Sequence, residues 1–365
     1  MMNNIKTVII GAGPAGLAAA CEIAKAGGQV VLLDENAIPG GQLFKQIHKF
    51  FGSNEHQAGT RGFNIGNKLL KETVDYGVKV VLNAKVYALY PDKSVGYIHD
   101  GHDTCISADR IIIATGGSEN ALAFPGCTLP GVMSAGAAQT MVNVNRVLPG
   151  KKALMVGAGN IGIIVAYQLL LAGMDVKGVM CRGARYGGYA VHAAKIRRAG
   201  VPILVSHTVK RAIGKNQVEA VEIVEVDKNK KAIIGSESII DADTLCISSG
   251  LTPLTELAWM MGCEFIYVPP LGGHVPKHDM NMETTVPGIY IAGDASGIEE
   301  ASAAMEEGRL AGLACAQSFH LLSDSVAEKK KNEVWNRLNA LRTGQFGEET
   351  RIAKENIIKA KMGGE

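Results

Sequence analysis

Two stretches of this chain are built to the same plan. Lys6-Thr7-Val8-Ile9-Ile10-Gly11-Ala12-Gly13-Pro14-Ala15-Gly16 leads through a helix-patterned stretch into Val30-Val31-Leu32-Leu33-Asp34-Glu35. At an offset of 146 residues, Lys152-Ala153-Leu154-Met155-Val156-Gly157-Ala158-Gly159-Asn160-Ile161-Gly162 leads into Val176-Lys177-Gly178-Val179-Met180-Cys181. Each is an apolar run, a G-x-G-x-x-G, a helical stretch and a second apolar run. That is the layout of a βαβ dinucleotide-binding unit. Two such units predict an α/β fold with two Rossmann-like domains, and 365 residues suffice for them at roughly 150 residues each.

The residue types in the first turn point to phosphate chemistry. Gly11 permits the tight turn out of the strand, Gly13 lets a pyrophosphate approach the backbone, and Gly16 lets strand and helix pack closely. The helix opening at Pro14 and Ala15 presents free N–H groups and the positive end of its dipole. Asp34 stands 23 residues after Gly11, where an acid meets ribose hydroxyls; Glu35, one residue further, is less suited. Pro39-Gly40-Gly41-Gln42 follows, and its glycines read either as a second close approach to a ligand or as a plain turn. Gln42, Lys45 and His48 are candidates to line a cofactor or a path to a partner, or to be exposed loop. Gly293-Asp294 follows the apolar run Ile289-Tyr290-Ile291-Ala292 and precedes a helical pattern from Ile298 to about His320. Its acid is suited to a ribityl chain, to a water-bridged phosphate, or to capping the helix.

The second turn keeps Gly157, Gly159 and Gly162, with Asn160 and Ile161 between them, so a nucleotide phosphate is expected there too. Met180, then Cys181 and Arg182, stand at its ribose position. The missing acid argues against a standard NAD(H) site. Arg182 and Arg185 suit a 2′-phosphate, as in NADP(H), or a phosphate of ATP or ADP, or are surface arginines. A nicotinamide nucleotide, an adenine nucleotide without hydride chemistry, and an empty site all stay open.

Between the two units, 78–82 and 110–114 read as strands and 86–109 as hairpin material with turns at Pro91-Asp92 and Asp100-Gly101. After the second unit, 201–204, 218–223 and 244–250 read as strands, with a polar turn at Asp227–Lys231. His274 and His278 are four apart, but Pro276 between them and Gly272-Gly273 before them predict a loop, and no metal site is expected. The charged stretch 324–365, with Lys329-Lys330-Lys331 and Trp335, reads as a surface helix or a docking arm.

The seven cysteines (Cys21, Cys105, Cys127, Cys181, Cys246, Cys263 and Cys315) are never closer than 17 residues. That spacing excludes a C-x-x-C redox dithiol and a local zinc or iron–sulfur cluster within this sequence. They read as small buried residues in a reducing cytoplasm. A net charge of +2 gives no reason to expect nucleic acid or membrane as partner. The amino terminus runs into a strand with no signal-peptide core, and no transmembrane segment is expected.

The set Gly11–Gly16, Asp34, Gly40-Gly41-Gln42, Ala114-Thr115-Gly116-Gly117 and Gly293-Asp294 resembles the pyridine nucleotide–disulfide oxidoreductase superfamily over roughly residues 5–320. The resemblance implies an FAD domain made of residues 1–118 and 255–323, with a second nucleotide domain, 119–254, inserted. The 324–365 tail lies outside both. It implies that Ala114, Thr115 and Gly116 close the first part of the FAD domain. It also implies that Asp294 contacts the ribityl–phosphate chain, and that the N–H groups of Ala301 and Ser302 meet flavin N1 and O2. Pro130-Gly131-Val132-Met133-Ser134-Ala135-Gly136-Ala137 and Glu307-Gly308-Arg309-Leu310-Ala311-Gly312 make the chain similar to a narrower group. These are the FAD-binding subunits of multi-subunit amine, proline and hydroxyproline dehydrogenases, opine oxidase, hydrogen cyanide synthase and sarcosine oxidase. That likeness implies an electron-transfer role in a hetero-oligomer with a small iron–sulfur protein and a catalytic FAD-containing subunit. Thioredoxin reductases carry a C-x-x-C where this chain has Val132-Met133-Ser134-Ala135-Gly136, so disulfide reduction is not expected. No cysteine follows Cys315, so any 2Fe-2S cluster is expected on a partner chain. A self-sufficient NAD(P)H-dependent flavin reductase is the alternative.

Overall fold

Runs such as Val8-Ile9-Ile10 are apolar at every residue rather than at alternate ones, which suits strands covered on both faces of a parallel sheet. The computed structural model describes residues 7–50, 53–344 and 347–363 and forms two compact units: residues up to Ser118 with those from Leu251 onward, and Glu119–Gly250. In the first unit a five-stranded sheet runs Ile289–Ile291, Arg110–Ile113, Thr7–Ile10, Val30–Leu33, Lys79–Val81. Every neighbouring pair is parallel. Val8, Ile9, Leu32, Leu33 and Ile111–Ile113 are fully or almost fully buried. Three antiparallel strands, Ala84–Leu89, Ser94–His99 and His102–Ser107, separate the third and fourth of these strands in sequence, and turns occupy 91–92 and 100–101.

The second unit repeats this plan beyond the βαβ motif. Its sheet runs Ile203–Leu204, Asp175–Met180, Lys152–Val156, Thr244–Ile247, Val132–Ser134, again parallel throughout. Another antiparallel trio, His207–Ile213, Ala220–Glu225 and Ser238–Ile240, interrupts it at the corresponding place. The 227–231 turn is closed by the Asp227 N–H donating to the Lys231 carbonyl at 2.9 Å.

Three expectations are corrected. The chain re-enters the first unit at Leu251 rather than at 255. There the Leu254 N–H donates to the Gly116 carbonyl at 2.9 Å, and the Thr115 hydroxyl donates to the Leu254 carbonyl at 2.6 Å. His274 lies in the strand Gly273–Pro276, paired with Phe265–Val268, not in a loop. The helices Asp324–Leu341 and Glu348–Lys361, expected to lie outside both domains, belong to the first unit, packed on it in keeping with the surface-helix reading. Val334 and Leu338 join the main core of that unit, and Ala353 and Ile357 pack with Val268, Leu271 and Val275. A charged composition hid this packing, since only a narrow stripe of each helix is apolar and several of its charges are themselves buried.

The first Gly-rich helix, Pro14–Lys25, packs along the helix Ala301–Ser318 through small residues: Ala15, Ala18 and Ala19 against Ala304, Ala311 and Ala314. A Cβ on Gly308 would lie 2.1 Å from the Ala15 carbonyl oxygen, and one on Gly312 would lie 2.6 Å from that of Ala19. Backbone-to-backbone contact of this kind cannot relax by a rotamer change. Gly308→Ala should therefore lower stability by about 1–3 kcal/mol. Gly187→Ala, where an added Cβ meets nothing within 4 Å, should stay within about 0.5 kcal/mol of the parent; denaturant unfolding of the two variants checks both.

Candidate nucleotide-binding sites

Both Gly-rich turns open at the carboxyl ends of their strands, where parallel α/β sheets bind ligands. Gly11 has φ +103, and a Cβ there would sit 2.2 Å from the Ala114 carbonyl oxygen; a Cβ on Gly16 would sit 1.9 Å from that of Gly11. Gly13, by contrast, meets only the Gly41 Cα, at 3.9 Å. The helix behind it has no side-chain cap. A Cβ on Gly116 (φ +79) would also meet open space. A bare helix start facing an open, side-chain-free cleft fits a dinucleotide pyrophosphate.

Asp34, placed by sequence at the ribose, is 6% exposed and is engaged by the protein. Its Oδ2 accepts the Ala12 N–H at 2.6 Å, and its Oδ1 accepts the Asn36 N–H and Nδ2 at 2.8 and 2.9 Å. A carboxylate has about four acceptor positions, so Asp34 holds the turn and retains capacity for a hydroxyl. Glu35 is exposed. The Gly40 N–H donates to the Ala12 carbonyl at 2.6 Å, so the second glycine pair folds over the turn and brings Gly41 against Gly13. Gln42 is exposed, Lys45 and His48 are half-buried, and the His48 ring stacks on Phe50 with centroids 5.8 Å apart.

Gly293–Ser296 forms a single 3-10 turn above the start of the helix Ala301–Ser318, whose amino end has no side-chain cap. Ala301 is half-buried and Ser302 buried at that end. Asp294 accepts the Glu299 N–H at 3.3 Å; burial pushes its carboxyl up to about 6. Beneath the turn lies Glu307, whose Oε2 accepts the Gly293 N–H at 3.1 Å and the Ser296 hydroxyl at 2.6 Å. Its Oε1 accepts Arg342 Nη2 at 2.6 Å and Lys354 Nζ at 2.8 Å. Burial alone would raise the Glu307 carboxyl, but Lys354 and Arg342 hold it well below the usual carboxylate range. A neighbouring cluster joins Glu306 to His56, Arg309 and Arg337. Sequence reasoning missed both clusters, because Arg337, Arg342 and Lys354 stand 31 to 47 residues after the carboxylates they neutralise.

In the second unit Gly157 and Gly162 repeat the geometry of Gly11 and Gly16: their Cβ atoms would lie 1.9 Å from the carbonyl oxygens of Ser248 and Gly157. Gly159 faces open space, and the helix Asn160–Leu171 has no side-chain cap, so this turn too fits a nucleotide phosphate. A second glycine pair again folds over it. The N–H groups of Gly187 and Gly188 donate to the Ala158 carbonyl at 3.0 and 3.1 Å, and Asn160 Oδ1 accepts the Tyr189 N–H at 2.8 Å. This pair stands 147 residues after Gly40-Gly41, a signal present in the sequence but overlooked. Ile161 is exposed. Arg182 and Arg185 are exposed as well, and Arg182 donates to the Lys230 carbonyl at 2.9 Å.

Among the described residues no group of three or more His, Cys, Asp or Glu could hold a metal ion, and no helix is long and apolar enough to cross a membrane. A cavity of about 360 Å³ lined by Lys93, Arg110, Gly288 and Lys331 opens at the amino ends of the strands of the first sheet, opposite its Gly-rich turn. Asp294 gives the first site a pH signature. Its folded-state value of about 6 exceeds the ordinary 3.8, so the folded protein holds a proton that the unfolded chain has released. Stability from this group is complete below about pH 4 and is lost as pH rises through about 6, by about 1.4 kcal/mol per pH unit. Asp294→Asn should flatten that fall; unfolding free energies of the two ligand-free proteins between pH 4 and 7 measure it.

Residues 5–308 match the family described as pyridine nucleotide-disulphide oxidoreductase. An opine oxidase subunit of Agrobacterium tumefaciens (strain Ach5) is 30% identical over 340 residues, covering 88% of this chain and 67% of that one. Hydrogen cyanide synthase subunit HcnB of Pseudomonas aeruginosa (strain PAO1) is 26% identical over 365 residues, covering 95% and 78%. Among solved structures, L-proline dehydrogenase from P. horikoshii superposes with a TM-score of 0.68 at 23% identity, over 91% of this chain and 59% of that one; this likeness speaks to the fold. The chain belongs to the pyridine nucleotide-disulphide oxidoreductase family, a membership that makes it a flavoprotein oxidoreductase and implies binding of FAD and a pyridine nucleotide.

Proposed function

We propose that this chain is the FAD-containing electron-transfer subunit of a heteromeric amine or secondary amino-acid dehydrogenase. The observation that carries the reading is the alignment along 88% and 95% of the chain with two proteins named as subunits, one of opine oxidase and HcnB of hydrogen cyanide synthase. In this reading the uncapped helix start behind Gly13 binds the FAD pyrophosphate, with Gly11 and Gly16 shaping the turn. Asp34 takes a ribose hydroxyl with its remaining acceptor positions. Asp294 orients the ribityl chain, and the N–H groups of Ala301 and Ser302 put the positive end of a helix dipole at the flavin pyrimidine edge. FAD, when bound, supplies acceptance of an electron pair and its onward release. A second flavoprotein oxidises the amine, and an iron–sulfur protein carries electrons between the partners.

One observation favours a second reading, a self-sufficient NAD(P)H-dependent flavin reductase: the second Gly-rich turn is complete and open at Gly159. The two readings part in an anaerobic titration. The relay reading expects the purified chain to stay oxidised with NADH, NADPH or a secondary amino acid. Its visible flavin absorbance should bleach only when the amine is supplied together with the catalytic partner. Rapid bleaching of the chain alone by a nicotinamide would overturn it and install the reductase. In either case the paired variant Arg182→Ala/Arg185→Ala should weaken ADP or NADPH binding about 10-fold, a loss of about 1.4 kcal/mol, read by calorimetry. Unchanged affinity would make these arginines surface residues only.

A further inference from the structure

Lys354 is the most deeply buried cation of the carboxyl-terminal helices, at 2% exposure. Its ammonium group has three protons to donate, and three acceptors meet it: the Ser296 carbonyl at 3.0 Å, the Ser296 hydroxyl at 2.8 Å and Glu307 Oε1 at 2.8 Å. Arg342, 4% exposed, forms a fork with both oxygens of Glu299, with Nε to Oε1 at 2.9 Å and Nη2 to Oε2 at 2.5 Å, and also reaches Glu307. The turn that bears Asp294 is thus held at both ends. Glu307 grips the Gly293 N–H, Lys354 grips the Ser296 carbonyl, and the two grips are joined through their own ion pair. Glu299, which Arg342 holds, is the residue whose N–H reaches Asp294.

A fold needs no such arrangement at this place. Burying an ion pair is often no more stabilising than apolar packing of the same volume, yet here two cations are brought from helices 35 to 55 residues downstream of Glu299 and Glu307. What the arrangement does provide is a fixed Asp294 turn, with the carboxylates of Glu299 and Glu307 neutralised beneath the start of the helix Ala301–Ser318.

We propose that Lys354, with Arg342, is a positioning residue of the flavin site: it clamps the Asp294 turn through Ser296 and Glu307 and, by neutralising Glu307, keeps an uncompensated negative charge from opposing the reduced flavin. The inference rests on the assignment of FAD to this turn. Lys354 also acts on Asp294 through space, favouring its charged form.

The test uses the full chain reconstituted with FAD. Lys354→Met is expected to weaken FAD binding at least tenfold, read by fluorescence of released flavin. It should also shift the ratio of affinities for reduced and oxidised FAD at least tenfold against the reduced form, read by spectroelectrochemistry as a fall of about 30 mV in the two-electron potential. Lys354→Arg should recover most of both. Because Lys354→Met leaves part of the Glu307 charge uncompensated, Glu307→Gln/Lys354→Met provides a charge-balanced variant. It is expected to regain the melting temperature and the potential but not the FAD affinity, because the grip on Ser296 is still missing. Wild-type affinity and potential in Lys354→Met, or wild-type affinity in the balanced double variant, would reduce Lys354 to a structural role and overturn the proposal. A wild-type chain that takes up no FAD would instead overturn the cofactor assignment beneath it.

Discussion

Glycine sets the distances on which the rest of this molecule depends. At each strand-to-helix reversal one backbone passes so close to another that a side chain has no room. The Cβ positions of Gly16 and Gly162 both fall 1.9 Å from a carbonyl oxygen of their own turn, and those of Gly11 and Gly157 fall 2.2 and 1.9 Å from the carbonyl of the neighbouring strand. These approaches bring a helix start to the carboxyl edge of each sheet, with N–H groups no side chain covers. The same device joins the helices Pro14–Lys25 and Ala301–Ser318 at Gly308 and Gly312, which fixes the start of the second helix relative to the first turn. Phosphate cradle and Asp294 turn are held in register by one kind of contact.

Charge is handled as strictly as distance. Glu299, Glu306 and Glu307 sit within two turns of the helix start, each at 8% side-chain exposure or less. An uncompensated carboxylate so deep would be neutralised or would unfold its surroundings. Arg337, Arg342 and Lys354 answer them from the carboxyl-terminal helices. Glu307 has four hydrogen-bond donors, two from the Gly293–Ser296 turn and two cationic, so each of its acceptor positions is used. A charged segment that reads by sequence as a surface helix or a docking arm is in this way tied to the floor of the first site.

The two units show how one plan diverges. Both have a five-stranded parallel sheet, an antiparallel trio at the same point in the chain, and a glycine pair bonded back to the alanine inside the Gly-rich turn. They differ at the ribose position. The first unit has Asp34, fixed by the Ala12 and Asn36 N–H groups, while the second has Met180, buried in its core, and exposed arginines beyond it. In the proposed reading, a hydroxyl acceptor in one unit and cationic side chains in the other suit different nucleotides at one kind of turn.

What is local was legible in the residues themselves. Glycine spacing, apolar strands and the acid at a strand end are short-range features with one steric or electrostatic solution each, so both Rossmann units, the turns at 91–92, 100–101 and 227–231, and the helix starts behind Gly13 and Gly159 could be read directly. Tertiary structure alone decided what depends on residues far apart in the chain. It turned the Asp34 carboxylate toward Ala12, put His274 in a strand and returned the chain to its first unit at Leu251. It also folded the 324–365 helices onto the Asp294 turn, because a buried carboxylate needs a cation nearby in space and nothing in the linear order says which of the 37 lysines and arginines will supply it.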